Sequence, residues 1–140
     1  MVDAGSAGEA NFHGFREYVI DTAPERILAF LNVGSIGLVA CNRVSELIDI
    51  RSIDVERTLA CVEANRDVIR GIKVRASHVI LGSWGITPVK VARKVARIAG
   101  LPDQGRPLHR LIVSAGVLED RRQLVGRQPA AAALASATIC

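Results

Sequence analysis

A lysine stands in the middle of Ile69-Arg70-Gly71-Ile72-Lys73-Val74-Arg75-Ala76, a run that reads as a β-strand. Strand side chains alternate, so Ile72 and Val74 share one face while Gly71, Lys73 and Arg75 share the other. If both faces are covered, the Lys73 ammonium leaves water. That costs free energy unless the amine is paired, deprotonated or covalently modified. Three other positions are candidates for chemistry. Asn32 and Ser35 close an apolar run upstream, and His78 follows the lysine strand in a loop that would open at the same end of a sheet. All three are candidate substrate contacts. The competing readings are turn chemistry for Asn32 and Ser35 and a solvated loop for His78. His13 lies near a helix start and reads as a surface histidine.

Other patterns carry less. Gly5-Ser6-Ala7-Gly8 lacks both the GKS/T ending and the GxGxxG spacing of phosphate loops. Lys90, Arg93, Lys94 and Arg97 form the basic side of one helix, with no aromatic or glycine-rich partner motif to make it a nucleic-acid site. A solvated outer face is the simpler reading. Cys41, Cys61 and Cys140 form no CxxC pair and are odd in number, which argues against a disulfide framework and fits a cytoplasmic protein. Cys41 and Cys61 read as small core residues.

The elements that must position Lys73 follow from periodicity. Val2 to Ala4 reads as the end of a short strand. Asn11 can cap a helix carrying Phe12, Phe15, Tyr18 and Val19, with Pro24 ending that region. Ile27-Leu28-Ala29-Phe30-Leu31 is continuously apolar, as in a strand buried on both faces. Residues 36–50 read either as a strand over Ile36 to Ala40 or as part of a long active-site loop. Asp54 can cap a helix with Val55, Leu59 and Val62 inside. After the lysine strand and a glycine-bearing loop over residues 77–86, Thr87 reads as an N-cap and Pro88 as the first helical residue. Ala92, Val95, Ala96 and Ala99 form the inner stripe, and Gly100 reads as the C′ residue. Strands alternating with helices of this size predict consecutive right-handed, parallel βαβ units.

The whole chain has 140 residues, 49% of them apolar, enough for one domain with a real core of mostly Val, Ile, Leu and Ala. The net charge of +4 does not demand a polyanionic partner. No apolar run reaches the ~18 residues of a membrane span, and no signal peptide is visible. Composition shifts after Leu101. Every Phe, Tyr, Trp and Lys lies before it, and all three glutamines and three of five prolines lie after it. Two domains of sequence are therefore drawn, 1–102 and 103–140. The second reads either as one more unit (strand Leu108 to Val113, helix Val117 to Val125) or as frame-shifted sequence.

Three segments, Val2-Asp3-Ala4-Gly5-Ser6-Ala7-Gly8, Arg26-Ile27-Leu28-Ala29-Phe30-Leu31-Asn32 and Asp67-Val68-Ile69-Arg70-Gly71-Ile72-Lys73-Val74-Arg75, resemble the amidohydrolase/deacetylase metallohydrolases. These are dihydroorotase-like members of the amidohydrolase superfamily. The likeness runs from about Val2 to Pro102 and covers the early middle of that family's (β/α)8 barrel. It implies a fold class of α/β, as a partial TIM-type barrel, and a metal-dependent hydrolysis of amide or ester bonds in small molecules. It implies that Lys73, as N-carboxylysine, bridges two divalent ions, zinc being the expected metal, which activate water.

The resemblance also marks what is missing. The family's His-x-His pair belongs upstream of Met1, and its later histidines and aspartate have no counterpart here. His109 sits at the start of the expected strand, whereas barrel ligands gather at strand C-terminal ends, so it receives no ligand role. A lone carbamate cannot hold two ions. The expectation is thus a fragment with little catalysis by itself, either open or with its exposed edges covered by a second copy. The rival expectation is a non-catalytic α/β binding or interaction module. No membrane or nucleic-acid partner is expected, and the catalytic residues are unassigned.

Overall fold

A computed structural model describes residues 1–41, 43–47, 49–76 and 84–101, and the backbone of Leu111–Ser114. Four strands, β1 (Val2–Asp3), β2 (Leu28–Asn32), β3 (Ile69–Arg75) and β4 (Leu111–Ser114), form one sheet in the order β1-β2-β3-β4. Every pairing is parallel. This is the α/β arrangement of consecutive parallel units that the alternating pattern predicts, since parallel neighbours need a crossover connection. The strand expected over Leu108 to Val113 overlaps β4 at Leu111 to Val113, and its first three residues lie outside the described ones. The helix expected over Val117 to Val125, and His109, lie outside the described residues.

Helix α1 (Phe12–Phe15) continues as a π-helix over Arg16–Ile20. Phe12 and Phe15 meet edge to face with ring centroids 6.1 Å apart, and Phe12 is buried. Tyr18 and Val19, expected on the same helix, are exposed. The π winding rotates the later residues away from the face that an α-helical period would assign, so Ile20 becomes the buried one. Asn11 does not cap the helix with its side chain. Its Oδ1 accepts from the Gly8 N–H and its Nδ2 donates to the Ile36 carbonyl, which ties two loops together.

Helix α2 (Val55–Ala64) starts as its sequence predicts. The Asp54 carboxylate accepts from the Arg57 N–H at 2.9 Å, a bond worth about 1 kcal/mol to the helix. Val62 is fully buried, and Val55 and Leu59 pack against the core. Helix α3 (Thr87–Ile98) begins one residue away from expectation. Ile86 is the N-cap, without a side-chain bond, and Thr87 is already helical. Its inner stripe is as predicted: Ala92, Val95, Ala96 and Ala99 are all buried, and Gly100 follows at φ +56°. Residues 36–41 form turns, so that stretch is not a strand. Cys61 is a free thiol whose pKa burial pushes up to about 11. Cys41, expected as a core residue, is half-buried.

The core is one cluster. Leu31, Ile72, Val74 and Val62 are fully buried, with Phe12 and Val95 nearly so. Strand β3 is covered on both faces: from Ile69 to Arg75 only Arg70 and Arg75 are less than buried. The premise of the lysine argument, a strand without a solvent face, therefore holds.

Candidate functional site

Lys73 sits toward the C-terminal end of β3. A register shift between Ala29 and Phe30 brings Asn32, the last residue of β2, directly opposite it. Such irregularities re-aim the side chains beyond them. Lys73 is 4% exposed and Asn32 is fully buried. The third wall is Gly5, at φ +100° just past β1. A Cβ on Gly5 would lie 2.6 Å from the Lys73 Cβ, so only glycine lets this loop pass. Gly8 makes a similar close approach to the backbone of Gly34 and Ser35. The Gly5–Gly8 loop is thus a packing device. Its Gly5 and Ser6 N–H groups donate to the Asp3 carboxylate, so they are not aimed at an anion.

Above the lysine lies a residue the sequence did not single out. The Glu46 side chain is fully buried, with Oε1 3.7 Å from Lys73 Nζ and 3.5 Å from Asn32 Nδ2, and Oε2 3.6 Å from an Arg75 guanidinium nitrogen. Glu46 Oε2 accepts no hydrogen bond. Asn32 Nδ2 also donates to the Gly5 carbonyl at 3.2 Å, and its Oδ1 accepts from the Gly34 N–H at 2.9 Å. Asn32 therefore orients the strand end and the glycine loop together. Burial pushes the Lys73 ammonium below the usual lysine range, and the Glu46 carboxylate opposes that only in part.

Of the expected site residues, Lys73 and Asn32 meet. Ser35 lies three positions beyond Asn32, and its hydroxyl and N–H both go to the Ser52 carbonyl, each at 2.8 Å. His78 lies outside the described residues. His13 is on the surface, as expected, 3.4 Å from Glu17. A signal for Glu46 did exist. Two cations on one buried face of β3 require an anion, and the segment between β2 and α2 is placed to supply it. In sequence, however, Glu46 sits among turn residues and reads as solvated.

Among the described residues no three His, Cys, Asp or Glu side chains gather in a way that could hold a metal ion. The lysine fits one half of a metal bridge: a buried amine, depressed in basicity, at the C-terminal end of a parallel strand, where such barrels keep their chemistry. The set around it, Glu46, Arg75 and Asn32, does not complete one.

A parallel sheet of consecutive strands with a buried lysine near its C-terminal edge is the arrangement of part of a (β/α)8 barrel. No protein-family model matches the chain. Curated relatives do: the chain is 69% identical over 102 residues to a deacetylase of Brucella anthropi and 67% identical over 102 residues to the deacetylase Atu3266 of Agrobacterium fabrum. A deacetylase of Enterococcus faecalis is 28% identical over 95 residues. The two closer matches take in 73% of this chain and 25% of each relative, so the chain spans about a quarter of their length. Among solved structures, a dihydroorotase superposes with a TM-score of 0.73 and 61% identity, covering 82% of this chain and 30% of that one. An adenine deaminase superposes with a TM-score of 0.71 and 26% identity, covering 84% of this chain and 29% of that one. Over this stretch the chain is similar to deacetylases and to structures of amidohydrolase-superfamily enzymes, whose barrel it matches in part.

Proposed function

We propose that this chain carries the lysine strand of a metal-dependent amidohydrolase that hydrolyses amide or ester bonds in small molecules. Lys73 is then the residue carboxylated on Nζ in a complete barrel, and two zinc ions would share its carbamate and supply the activated water. The observation that carries the reading is the Lys73 environment. An ammonium held in a nearly water-free strand face, with its carboxylate partner at 3.7 Å, is poorly stabilised as a cation. A neutral amine is the form that attacks carbon dioxide. Identity near 70% to deacetylases across the same stretch supports the assignment. Asn32 holds the strand end beside Lys73, and Ser35 and His78 are kept as candidate substrate contacts.

By itself the chain is proposed to have no turnover. Its described residues supply one bridging position and no converging ligand set, and a metal site needs several. A transplant tests the assignment. The matching 102 residues of this chain replace their counterpart in the Brucella anthropi deacetylase. The hybrid is expected to bind metal and retain hydrolysis, and Lys73→Ala in the hybrid is expected to remove both. A hybrid that keeps its metal and its activity after Lys73→Ala would refute the carbamate role.

A further inference from the structure

Glu46 occupies the place where a modified lysine would need room. Its carboxylate is fully buried, faces the Lys73 and Arg75 cations at 3.7 and 3.6 Å, and leaves Oε2 without a hydrogen bond. Among the described residues, the other polar groups near the lysine are the Asn32 amide, which donates to the Gly5 carbonyl and faces Glu46, and Asp3, whose oxygens take the Gly5 and Ser6 N–H groups and the Ser6 hydroxyl. Among these described neighbours, Glu46 is the one whose side chain is held mainly by charge. It also carries its segment with it. Before Glu46, the Leu38 N–H donates to the Ser6 carbonyl and the Val44 N–H to the Ala40 carbonyl. After it, Ser52 Oγ donates to the Glu46 carbonyl and Leu47 is buried in the core.

We propose that Glu46 is a displaceable latch: it pins the turn segment between β2 and α2 onto the lysine strand, and carboxylation of Lys73 releases it. The proposal rests on the carboxylation reading above. In the step, the ammonium first gives a proton to solvent. The Nζ lone pair then forms a bond to the carbon of dissolved carbon dioxide, one C=O pair moves onto oxygen, and the nitrogen loses a second proton to solvent. A positive group becomes a negative one in the same place. Two carboxylates then face each other in a largely buried site, an arrangement that low-dielectric surroundings strongly disfavour. Arg75, at 27% side-chain exposure, stands at the edge of the cluster and gives Glu46 a partner on its way out.

The test uses the whole chain with 13C-labelled bicarbonate. Carbon NMR reads the carbamate, and amide exchange at Leu38 and Val44 reads the latch. In the wild type, exchange at both amides is expected to speed up several-fold as the carbamate signal grows. Lys73→Arg, which keeps the charge and cannot form the carbamate, should show neither change. Glu46→Gln should exchange fast from the start and form more carbamate at the same bicarbonate. A Lys73-dependent carbamate with unchanged exchange at Leu38 and Val44 overturns the latch while leaving the carboxylation reading intact. Absence of any Lys73-dependent carbamate in both the wild type and Glu46→Gln overturns the carboxylation reading, and the latch with it.

Discussion

The two ends of β3 hold their charges in opposite ways. At the N-terminal end, Arg16 grips Asp67 with two bonds of 2.8 Å and Asn65 with one of 2.9 Å, joining the π-helical turn to the α2–β3 connection. Asp67 there is 60% exposed, its geometry is good and its partners are complete. At the C-terminal end, Lys73, Glu46 and Arg75 are buried or half-buried, their contacts run from 3.6 to 3.7 Å, and one carboxylate oxygen has no hydrogen bond. The first is a strut. The second is an expensive cluster with loose geometry, which a protein retains at the end of the barrel where chemistry is done. Strong bonds mark the N-terminal end of this strand, and unsatisfied ones mark the end proposed to be functional.

Three substitutions sharpen that contrast. Glu46→Ala leaves two cations facing a closed site and should cost about 3–5 kcal/mol in denaturant unfolding, as removal of one partner from a buried cluster does. A loss below that of an exposed pair would mean that the cluster is solvated and the contrast false. Gly5→Ala puts a side chain at φ +100° against Lys73. It should cost about 1–3 kcal/mol through strain alone, with further loss where Lys73 must shift. Asp67→Asn, at the other end, should cost about 0.2–1 kcal/mol.

The last of these carries a pH signature. The Arg16 hydrogen bonds hold the Asp67 carboxyl below its ordinary range. A group with a depressed folded pKa stabilises above its unfolded value of ~3.9, and the contribution is lost as pH falls through the lower folded value. Wild type and Asp67→Asn should therefore differ at neutral pH and converge in acid. A difference that persists in strong acid would mean that the strut acts through packing rather than charge.

The strand and helix skeleton was legible because its signals are local. The apolar run before Asn32, the Asp54 cap and the Ala92-Val95-Ala96-Ala99 stripe each depend on nearby residues, and each appears where it was expected. Lys73 was legible because alternation alone places it on a covered face. The failures have physical causes. A π-helical turn continues the helix expected beyond Phe15, and Tyr18 and Val19 on it are exposed. The helix cap moved from Thr87 to Ile86, a one-residue slip that composition does not resolve. Glu46 was missed because its burial depends on contacts with residues 27 and 29 positions further along the chain. Nothing in the local run Arg43-Val44-Ser45-Glu46-Leu47 separates it from a solvated glutamate.

Lys73 is proposed as the bridging lysine of a two-metal hydrolase, and among the described residues no ligand set completes its site. Loading the purified chain with zinc and bicarbonate, removing free metal, and measuring bound zinc per chain together with amide and ester hydrolysis tests it most directly. The expected result is less than two zinc per chain and no turnover. Two zinc per chain with robust turnover, both abolished by Lys73→Ala, would contradict it.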